Sequence, residues 1–427
     1  MTTDRSRDRG TSTLSVWCDR TRVGELASER GDWSFAYTDE WIALPDAFPL
    51  SPWFPLASTR LIDRGEDRRV EWYFDNLLPE GGVRRALASY ADLDERGTFG
   101  LLRRFGEESA GALVLLPTGE APYASNASGY EPLTRDDLRG LLAAQPRVPL
   151  LAARGRAKMS LAGAQHKLGV RLVGDEFFLP VSGAASSHIL KPDNAHPEAY
   201  PFCPANEHFV MCLAHEIGLS VPQTTLFHLP EPVYVVERYD RWTEDAVVRR
   251  RHQIDLCQLG NKWPSFKYEE DGGATLADVF GATERLLRPA ASKNNLLRWL
   301  VFNYIVGNSD AHAKNVSFLV SRDGFDLAPF YDLLSVKVYG DDTLAMTIGG
   351  EERYGLVTSA SWDALADRIG IRPSLLRRIR RELARDVPRA AAKLVGGDVY
   401  SAEERAFLEE SVLAVVREHA GFVSDGL

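Results

Sequence analysis

Long apolar runs are missing from this chain. No stretch of about 18 consecutive apolar residues occurs, which argues against a membrane-spanning helix. Cysteine is scarce as well. The four residues Cys18, Cys203, Cys212 and Cys257 lie far apart, in no CxxC pair and at no zinc-ligand spacing. A disulfide framework is therefore not expected, and buried thiols in a reducing cytoplasm are. An excess of positive charge is also absent. Fifty basic residues against 60 acidic ones leave a net charge of −10, so no broad nucleic-acid footprint is expected over the whole chain. Met1 to Thr13 is polar and charged and lacks the apolar core of a secretory signal. A disordered tail over 1–13 and no membrane partner are the expectations.

With 427 residues, two or three domains and a large core can be accommodated. The organising stretch is Leu296 to Asn315. Leu296, Leu297, Leu300, Val301, Tyr304 and Ile305 recur at helical spacing and predict a buried helix. Gly307-Asn308 ends it, because glycine is favoured just past a helix C-terminus. A polar loop follows, with Asp310 and Asn315 five residues apart, and Val316 to Val320 reads as a strand. A second apolar run, Phe325 to Phe330, leads to Tyr331-Asp332. Taken singly, a loop Asp or Asn is a turn residue or a helix cap. In this order the three resemble the D-x-x-x-x-N and later Asp of protein kinases, which serve as base and magnesium ligands.

The chain before that stretch is mixed. Leu14 to Cys18, Val23 to Leu26 and Trp33 to Tyr37 read as strands, the first two as a hairpin. Val70 to Leu78 and Gly100 to Phe105 read as helices and Gly111 to Leu116 as a strand. This makes 14–118 a small α+β domain in which nothing resembles a catalytic constellation. Gly119 to Gly129 is rich in Gly, Pro, Ser and Asn, and 119–153 is read as a linker. Lys158 to Val170 has small residues between strand-like flanks, where backbone N–H groups could approach a phosphate. Its bland reading is a hairpin turn, since it is not G-x-G-x-x-G. Lys191 ends the apolar strand His188 to Lys191, and Glu207 follows sixteen residues later at the start of a helical pattern. That spacing suits a kinase Lys–Glu pair. Val233 to Asp240 is a β-rich run turning polar, where a kinase would have its hinge.

These pieces together resemble the HipA family of bacterial serine/threonine protein kinases, the toxin halves of HipBA-type modules. The resemblance rests on Phe74-Asp75-Asn76-Leu77-Leu78-Pro79, Gly106 to Leu113, Ser160 to Lys167, His188 to Lys191 and Asn206-Glu207. It continues through Glu237 to Arg241, Asp255 to Gln258, Lys267 to Gly273, Asp310 to Asn315 and Pro329 to Asp332. It spans about Val16 to Ser335. As in that family, no His-Arg precedes Asp310 and no Phe-Gly follows Asp332. His166 departs from it, since many relatives carry an acidic residue there.

The resemblance implies an α+β, two-lobed kinase-like fold. It comprises the N-terminal subdomain, an ATP lobe over 154–259 and an all-helical C-terminal lobe over 260–427 holding the catalytic loop. It implies Asp310 as catalytic base and Asn315 and Asp332 as Mg²⁺ ligands, hard oxygen donors suited to that ion. Lys191 would hold the ATP phosphates, oriented by Glu207, beneath a covering loop of Ala162, Gly163, Ala164, Gln165, His166 and Lys167. Glu237, Arg238 and Tyr239 would form the adenine-side hinge. His312, Ala313 and Lys314 would face the nucleotide, as would Tyr331. Ser160 matches the family's autophosphorylation serine. The implied partners are a HipB-like helix-turn-helix antitoxin, DNA mainly through that antitoxin, and a protein substrate such as an aminoacyl-tRNA synthetase. A small-molecule phosphotransferase would use the same residues. A non-catalytic scaffold for antitoxin and DNA is disfavoured by the intact Lys191, Asp310, Asn315 and Asp332.

The C-terminal part carries helical patterns at Ser361 to Ile369, Pro373 to Val387 and Ser401 to His419, the last opened by a capping box at Ser401. Arg377, Arg378, Arg380, Arg381 and Arg385 form a basic stripe. A solvated helix face is its plain reading, and a nucleic-acid or acidic-partner contact is the alternative.

Overall fold

The computed structural model describes residues 12–122, 129–144, 150, 159, 161–163, 165–194 and 196–424. The expected tail over 1–11 therefore lies outside the described residues, while Ser12 and Thr13 already belong to a strand. The N-terminal domain is an antiparallel sheet of β1 (Ser12–Cys18), β2 (Thr21–Glu29), β3 (Asp32–Tyr37), β4 (Leu61–Ile62) and β5 (Leu113–Pro117). Their order is β4-β3-β2-β1-β5. Alternation sets which face is buried: Trp33, Phe35 and Tyr37 turn inward and Ser34 and Ala36 less so. The helices α1 (Asp39–Ala43), α2 (Arg69–Asp75), α3 (Gly81–Tyr90) and α4 (Thr98–Phe105) complete the domain. α2 lacks a cap from its own flank. Asp63 supplies one, accepting from the N–H groups of Val70 at 2.8 Å and Glu71 at 2.9 Å.

A second antiparallel sheet has the order β10-β11-β9-β7-β8-β6. Its strands are β6 (Tyr130–Leu133), β7 (Leu168–Val173), β8 (Glu176–Pro180), β9 (His188–Pro192), β10 (Thr224–His228) and β11 (Pro232–Glu237). The stretch read as a linker thus supplies an edge strand and the helix α5 (Arg135–Ala143). Thr134 and Asp137 open that helix with a reciprocal capping box. Pro132 masked the strand in the sequence, yet an edge position tolerates a residue that cannot donate to the ladder. α6 (Cys203–Glu216) lies against β10 and β11 and carries Glu207. The hairpin β12 (Arg241–Glu244) and β13 (Val247–Arg250) follows.

The remaining lobe is built on α9 (Pro289–Val306), in which Leu296, Leu297, Trp299 and Phe302 are all buried. Around it stand α7 (Leu256–Leu259), α8 (Leu276–Ala282), α10 (Ser359–Arg368), α11 (Pro373–Leu394), α12 (Ala402–Phe407) and α13 (Leu413–Ser424). Ser401 caps α12 with the predicted box. The lobe is not all helical. β14 (Gln253–Asp255), β15 (Ser317–Ser321) and β16 (Gly324–Leu327) form one small sheet. β17 (Thr343–Ile348) and β18 (Glu351–Arg353) form another. β14 comes from before residue 260 and pairs with β15, so the expected boundary at 259/260 cuts through a sheet.

The basic stripe on α11 divides. Arg377 pairs with Asp363 and Arg385 with Asp386 at the surface, and Arg378 and Arg381 are exposed. Arg380 is fully buried, 5.3 Å over the ring of Trp362, and donates to the carbonyl of Val423 at 2.9 Å. No helix among the described residues is long and apolar enough to cross a membrane.

A sealed ionic seam joins the first domain to the second sheet. Glu108 accepts from Arg238 at 3.0 Å, Arg241 at 3.0 Å, Arg250 at 2.6 Å and the Ser186 hydroxyl at 2.7 Å. Asp240 accepts from Arg238 Nη2 and from the N–H of Gly111, each at 2.7 Å. Burial alone would push the Glu108 carboxyl up, but the three guanidiniums hold it well below the usual carboxylate range.

Candidate active site

One cleft, about 1230 Å³ including its mouth, is lined by residues from both domains. Lys191 on β9 and Glu207 on α6 face each other across it, Nζ to Oε1 at 2.7 Å. Asp332 pairs with the same ammonium from the other wall. All three feel burial first. Burial outweighs the pull of Lys191 on Glu207, whose carboxyl rises to about 7. For Asp332, Lys191 and then Lys167 overcome burial and bring it down to about 2. For Lys191, the two carboxylates overcome burial and raise it. Asp332 has φ +59°, a left-handed conformation in which Asp is better tolerated than bulky residues.

The loop after α9 is fixed by its own polar groups. Gly307 ends the helix at φ +68°. Asn308 donates to Asn303 Oδ1 at 2.7 Å and accepts from the N–H of Asp310 at 3.2 Å. Asn315 Nδ2 donates to the Asp310 carbonyl at 2.7 Å, which leaves its amide oxygen to offer to a cation. Asp310 Oδ1 accepts from the Tyr268 hydroxyl at 2.5 Å, and the carboxylate is 39% exposed. Burial, then Asp310 itself, raises the Tyr268 phenol, so it stays protonated as the donor. His312 lies with Nε2 3.7 Å from Asp310 Oδ1 and its ring edge-on to Tyr268. Ala313 is buried, its N–H donating to the Lys267 carbonyl at 3.1 Å.

Over the cleft, Gly163 adopts φ +111°, and a Cβ there would come within 2.6 Å of Lys167 Nζ. Only glycine lets that amine fold back onto the Ala162 carbonyl. Burial and then Lys191 lower the Lys167 ammonium to about 8. Ala162, Gly163, Gln165 and Lys167 line the cleft, and His166 is not among its lining residues. Ala164 and Ser160 lie outside the described residues. The opposite end has Ile189 and Val236 as apolar walls and the rings of Tyr239 and Tyr331 5.6 Å apart. Tyr239 donates to Gln253 at 2.5 Å, and the Tyr331 hydroxyl meets Ser317 Oγ at 2.7 Å.

Arg238 and Lys314 line the cleft, but their charged groups are held by protein partners. The guanidinium of Arg238 is spent in the seam with Glu108 and Asp240, so only its backbone remains for a hinge. Lys314 is buried, and its ammonium donates to Asn76 Oδ1 at 2.8 Å and Asp255 Oδ2 at 2.8 Å, with Glu80 at 3.7 Å. These acceptors outcompete an open cleft because a buried ammonium needs fixed partners. Asn76 and Glu80 belong to the domain in which no catalytic constellation was expected. Glu80 also pairs with Lys267 at 3.0 Å, and its N–H donates to the Gly163 carbonyl at 3.2 Å. Sequence reasoning assigned no role to Asn76, Glu80, Asp255 or Tyr268. Their only signal was membership in the runs around Phe74 to Pro79, Asp255 to Gln258 and Lys267 to Gly273.

The donor chemistry fits a hard divalent cation. Asn315 and Asp332 offer oxygens, and Lys191 takes only Oδ1 of Asp332, which leaves Oδ2. Among the described residues no group of three or more His, Cys, Asp and Glu could hold a metal ion. Two side-chain oxygens are what Mg²⁺ uses when substrate phosphates and water complete its shell.

A Lys–Glu pair on a strand and helix, facing an Asp-to-Asn loop and a later Asp across a two-lobed cleft, defines a kinase-like enzyme. Two family descriptions cover most of the chain: HipA N-terminal domain over residues 14–116 and HipA-like C-terminal domain over residues 159–391. The chain belongs to the HipA family and is a kinase. It is 38% identical over 391 residues to Y4mE of Sinorhizobium fredii, whose name describes a candidate kinase, covering 90% of this chain and 91% of that one. It is 29% identical over 437 residues to the serine/threonine-protein kinase toxin HipA of Shewanella oneidensis, covering 97% and 98%. A solved complex of Shewanella oneidensis HipA with HipB and operator DNA matches with TM-score 0.82 at 28% identity, over 96% of this chain and 98% of that one.

Proposed function

We propose that this chain is a Mg²⁺- and ATP-dependent serine/threonine-protein kinase acting in the cytoplasm as the toxin of a type II toxin–antitoxin module. The observation that carries the reading is the convergence of Lys191–Glu207, Asp310, Asn315 and Asp332 on one cleft. Asp310 takes the proton of the acceptor hydroxyl. Tyr268 holds its Oδ1 and so orients the other oxygen toward the acceptor. Lys191, steadied by Glu207, grips the ATP phosphates, and Lys167 with the backbone of 162–167 covers them. Ile189, Val236 and the Tyr239–Tyr331 pair take the adenine end. A magnesium ion held by Asn315 and Asp332 would neutralise charge on the phosphoryl oxygens. The partners that follow are a HipB-like helix-turn-helix antitoxin, DNA through that antitoxin, and a translation component such as an aminoacyl-tRNA synthetase. Ser160 is the autophosphorylation site in this reading. A phosphate there, carrying about −1.5 to −2 charges, would be repelled by ATP phosphates and switch the enzyme off.

The test is transfer of radiolabelled γ-phosphate from ATP to protein with and without magnesium, alongside expression with and without a cognate antitoxin. Wild type should label protein, label itself at Ser160 by intact mass and peptide mapping, and arrest growth when expressed alone. Labelling of small metabolites in place of protein, or growth equal to that of Asp310→Ala, would overturn the reading.

A further inference from the structure

Tyr268, which holds Asp310, sits between α7 and α8, where the described residues form neither helix nor strand. Such a stretch keeps a side chain aimed only where outside contacts lock it. Two anchors come from its own lobe. The Lys267 carbonyl accepts from the N–H of Ala313 at 3.1 Å, and the Glu269 carboxylate accepts from the N–H of Thr347 at 2.6 Å. The third comes from the first domain, where Glu80 Oε2 pairs with Lys267 Nζ at 3.0 Å. That ammonium lies 5.1 Å from the centre of the Tyr268 ring, within cation–π reach. A line of contacts thus runs from Glu80 through Lys267 and Tyr268 to Asp310. Lys267 has no second ion-pair partner among the described residues. Lys314, 3.7 Å from Glu80 Oε1, is also held by Asn76 and Asp255, so it depends on Glu80 less. The Lys267 and Glu80 side chains are 17% and 15% exposed, so water screens their pair little. Burial would push the Glu80 carboxyl up, but Lys314 and Lys267 bring it below its usual value. The backbone of Glu80 is placed separately, through its N–H to the Gly163 carbonyl. A side-chain change at 80 leaves that contact in place.

We propose that Glu80 is a positioning residue for phosphoryl transfer: it fixes the Lys267 ammonium over the Tyr268 ring and so steadies the hydroxyl that aims Asp310. The first domain then belongs to the catalytic apparatus. Glu80 acts through Tyr268, so its loss should appear in turnover. Nucleotide affinity should not fall, because removing a carboxylate from the cleft leaves Lys267 and Lys314 with more charge to offer the phosphates.

This inference rests on Asp310 as the base of the proposed kinase, and two readouts keep the two apart. The first is the rate at which the full chain labels itself from radiolabelled ATP and magnesium, beside a titration with a non-hydrolysable analogue. Glu80→Gln should label about tenfold more slowly at saturating ATP and bind the analogue at least as tightly as wild type. Tyr268→Phe should slow labelling by a similar factor, and the double variant no further, because both changes break one line. The second readout is the fluorine NMR signal of Tyr268 in fluorotyrosine-labelled protein, assigned by its absence in Tyr268→Phe. Glu80→Gln should move that signal. Analogue binding reports that each variant is folded. Lys267→Gln breaks the same pair from the other side, and the same slowing is expected of it if Glu80→Gln does not fold. Labelling at the wild-type rate, analogue binding weakened in step with labelling, multiplied effects in the double variant, or an unmoved Tyr268 signal would overturn the proposal. If wild type labels neither itself nor other protein and the signal still moves, the proposed function falls and the link from Glu80 to Tyr268 stands. If wild type labels and Glu80→Gln labels equally well, the proposed function stands and the positioning role falls.

Discussion

Two buried charge clusters in this protein are made of the same materials and behave in opposite ways. Around Glu108 and Asp240, three guanidiniums meet two carboxylates, and all five side chains are 2–5% exposed. Around Lys191, one ammonium serves Glu207 and Asp332, and Asp332 is 27% exposed. Glu108 and Glu207 are equally deep glutamates, yet one is driven down and the other up to about 7. The difference is the supply of positive charge. With Asp19 pairing Arg250 at 3.2 Å as a third carboxylate, the first cluster is neutralised and locks two domains together. The second is short of cation and open at one side, the condition in which a site can accept an ion and a substrate.

The widest separation between the clusters should appear on removing charge from the open side. Asp310→Ala should lower phosphoryl transfer roughly 10²–10⁴-fold, the usual weight of a positioned proton acceptor. Its thermal midpoint should stay near that of wild type, because loop carboxylates at a site serve function more than the core. A calorimetric scan beside the labelling assay checks both, and near wild-type transfer would break the assignment. Glu108→Gln should do the converse. Chemical denaturation should show a loss of about 3–5 kcal/mol, since three buried guanidiniums lose their shared partner. The sign with pH follows from a depressed carboxyl. Its stabilisation is fully present above the ordinary value of 4.5 and is lost as pH falls toward the folded value, so wild type and variant should converge in acid.

Lys314 sharpens the contrast, because it sits in the open cleft but is paired like the sealed cluster. Lys314→Met should cost about 3 kcal/mol by leaving Asp255 without its cation and Glu80 with Lys267 alone. Lys191→Met should remove ATP affinity, measured by titration with a non-hydrolysable analogue, and also lower stability, because Glu207 and Asp332 lose their shared cation. If Lys314→Met lost only nucleotide affinity, that lysine would belong with the functional set. The smallest effect is expected at Arg377→Ala. Its pair with Asp363 is 43% and 36% exposed, and a change below about 0.5 kcal/mol in denaturant midpoint is the expectation.

The sequence was most informative where function and periodicity coincide. α9 and the loop to Asn315 could be read because a buried helix must be apolar at 3.6-residue spacing and must stop at Gly307. Lys191 and Glu207 were legible through the strand and helix that carry them. β6 was not, because Pro132 and the Gly/Ser-rich approach gave turn signals stronger than four strand residues. Nor was the direction of Lys314 and Arg238. A motif fixes where a residue sits in the chain, whereas its partners here are Asn76 and Glu108, more than a hundred residues away. Tyr268 was invisible for the same reason: its partner Asp310 lies 42 residues on.

The seam between the first domain and the rest has a consequence for modularity. Two matched regions suggest interchangeable parts, yet Glu108 and Gly111 are bonded to Arg238, Asp240, Arg241 and Arg250. Trp53 Nε1 donates to the Leu259 carbonyl at 2.9 Å, and the Tyr73 hydroxyl meets His252 at 3.1 Å. A chimaera that imports the first domain from a distant relative would import one half of each contact. Recombination across residue 117 would therefore succeed only when the partner residues in 238–259 travel with it. The heritable unit of this kinase is the whole chain, and drift on one side of the seam constrains what the other side can become.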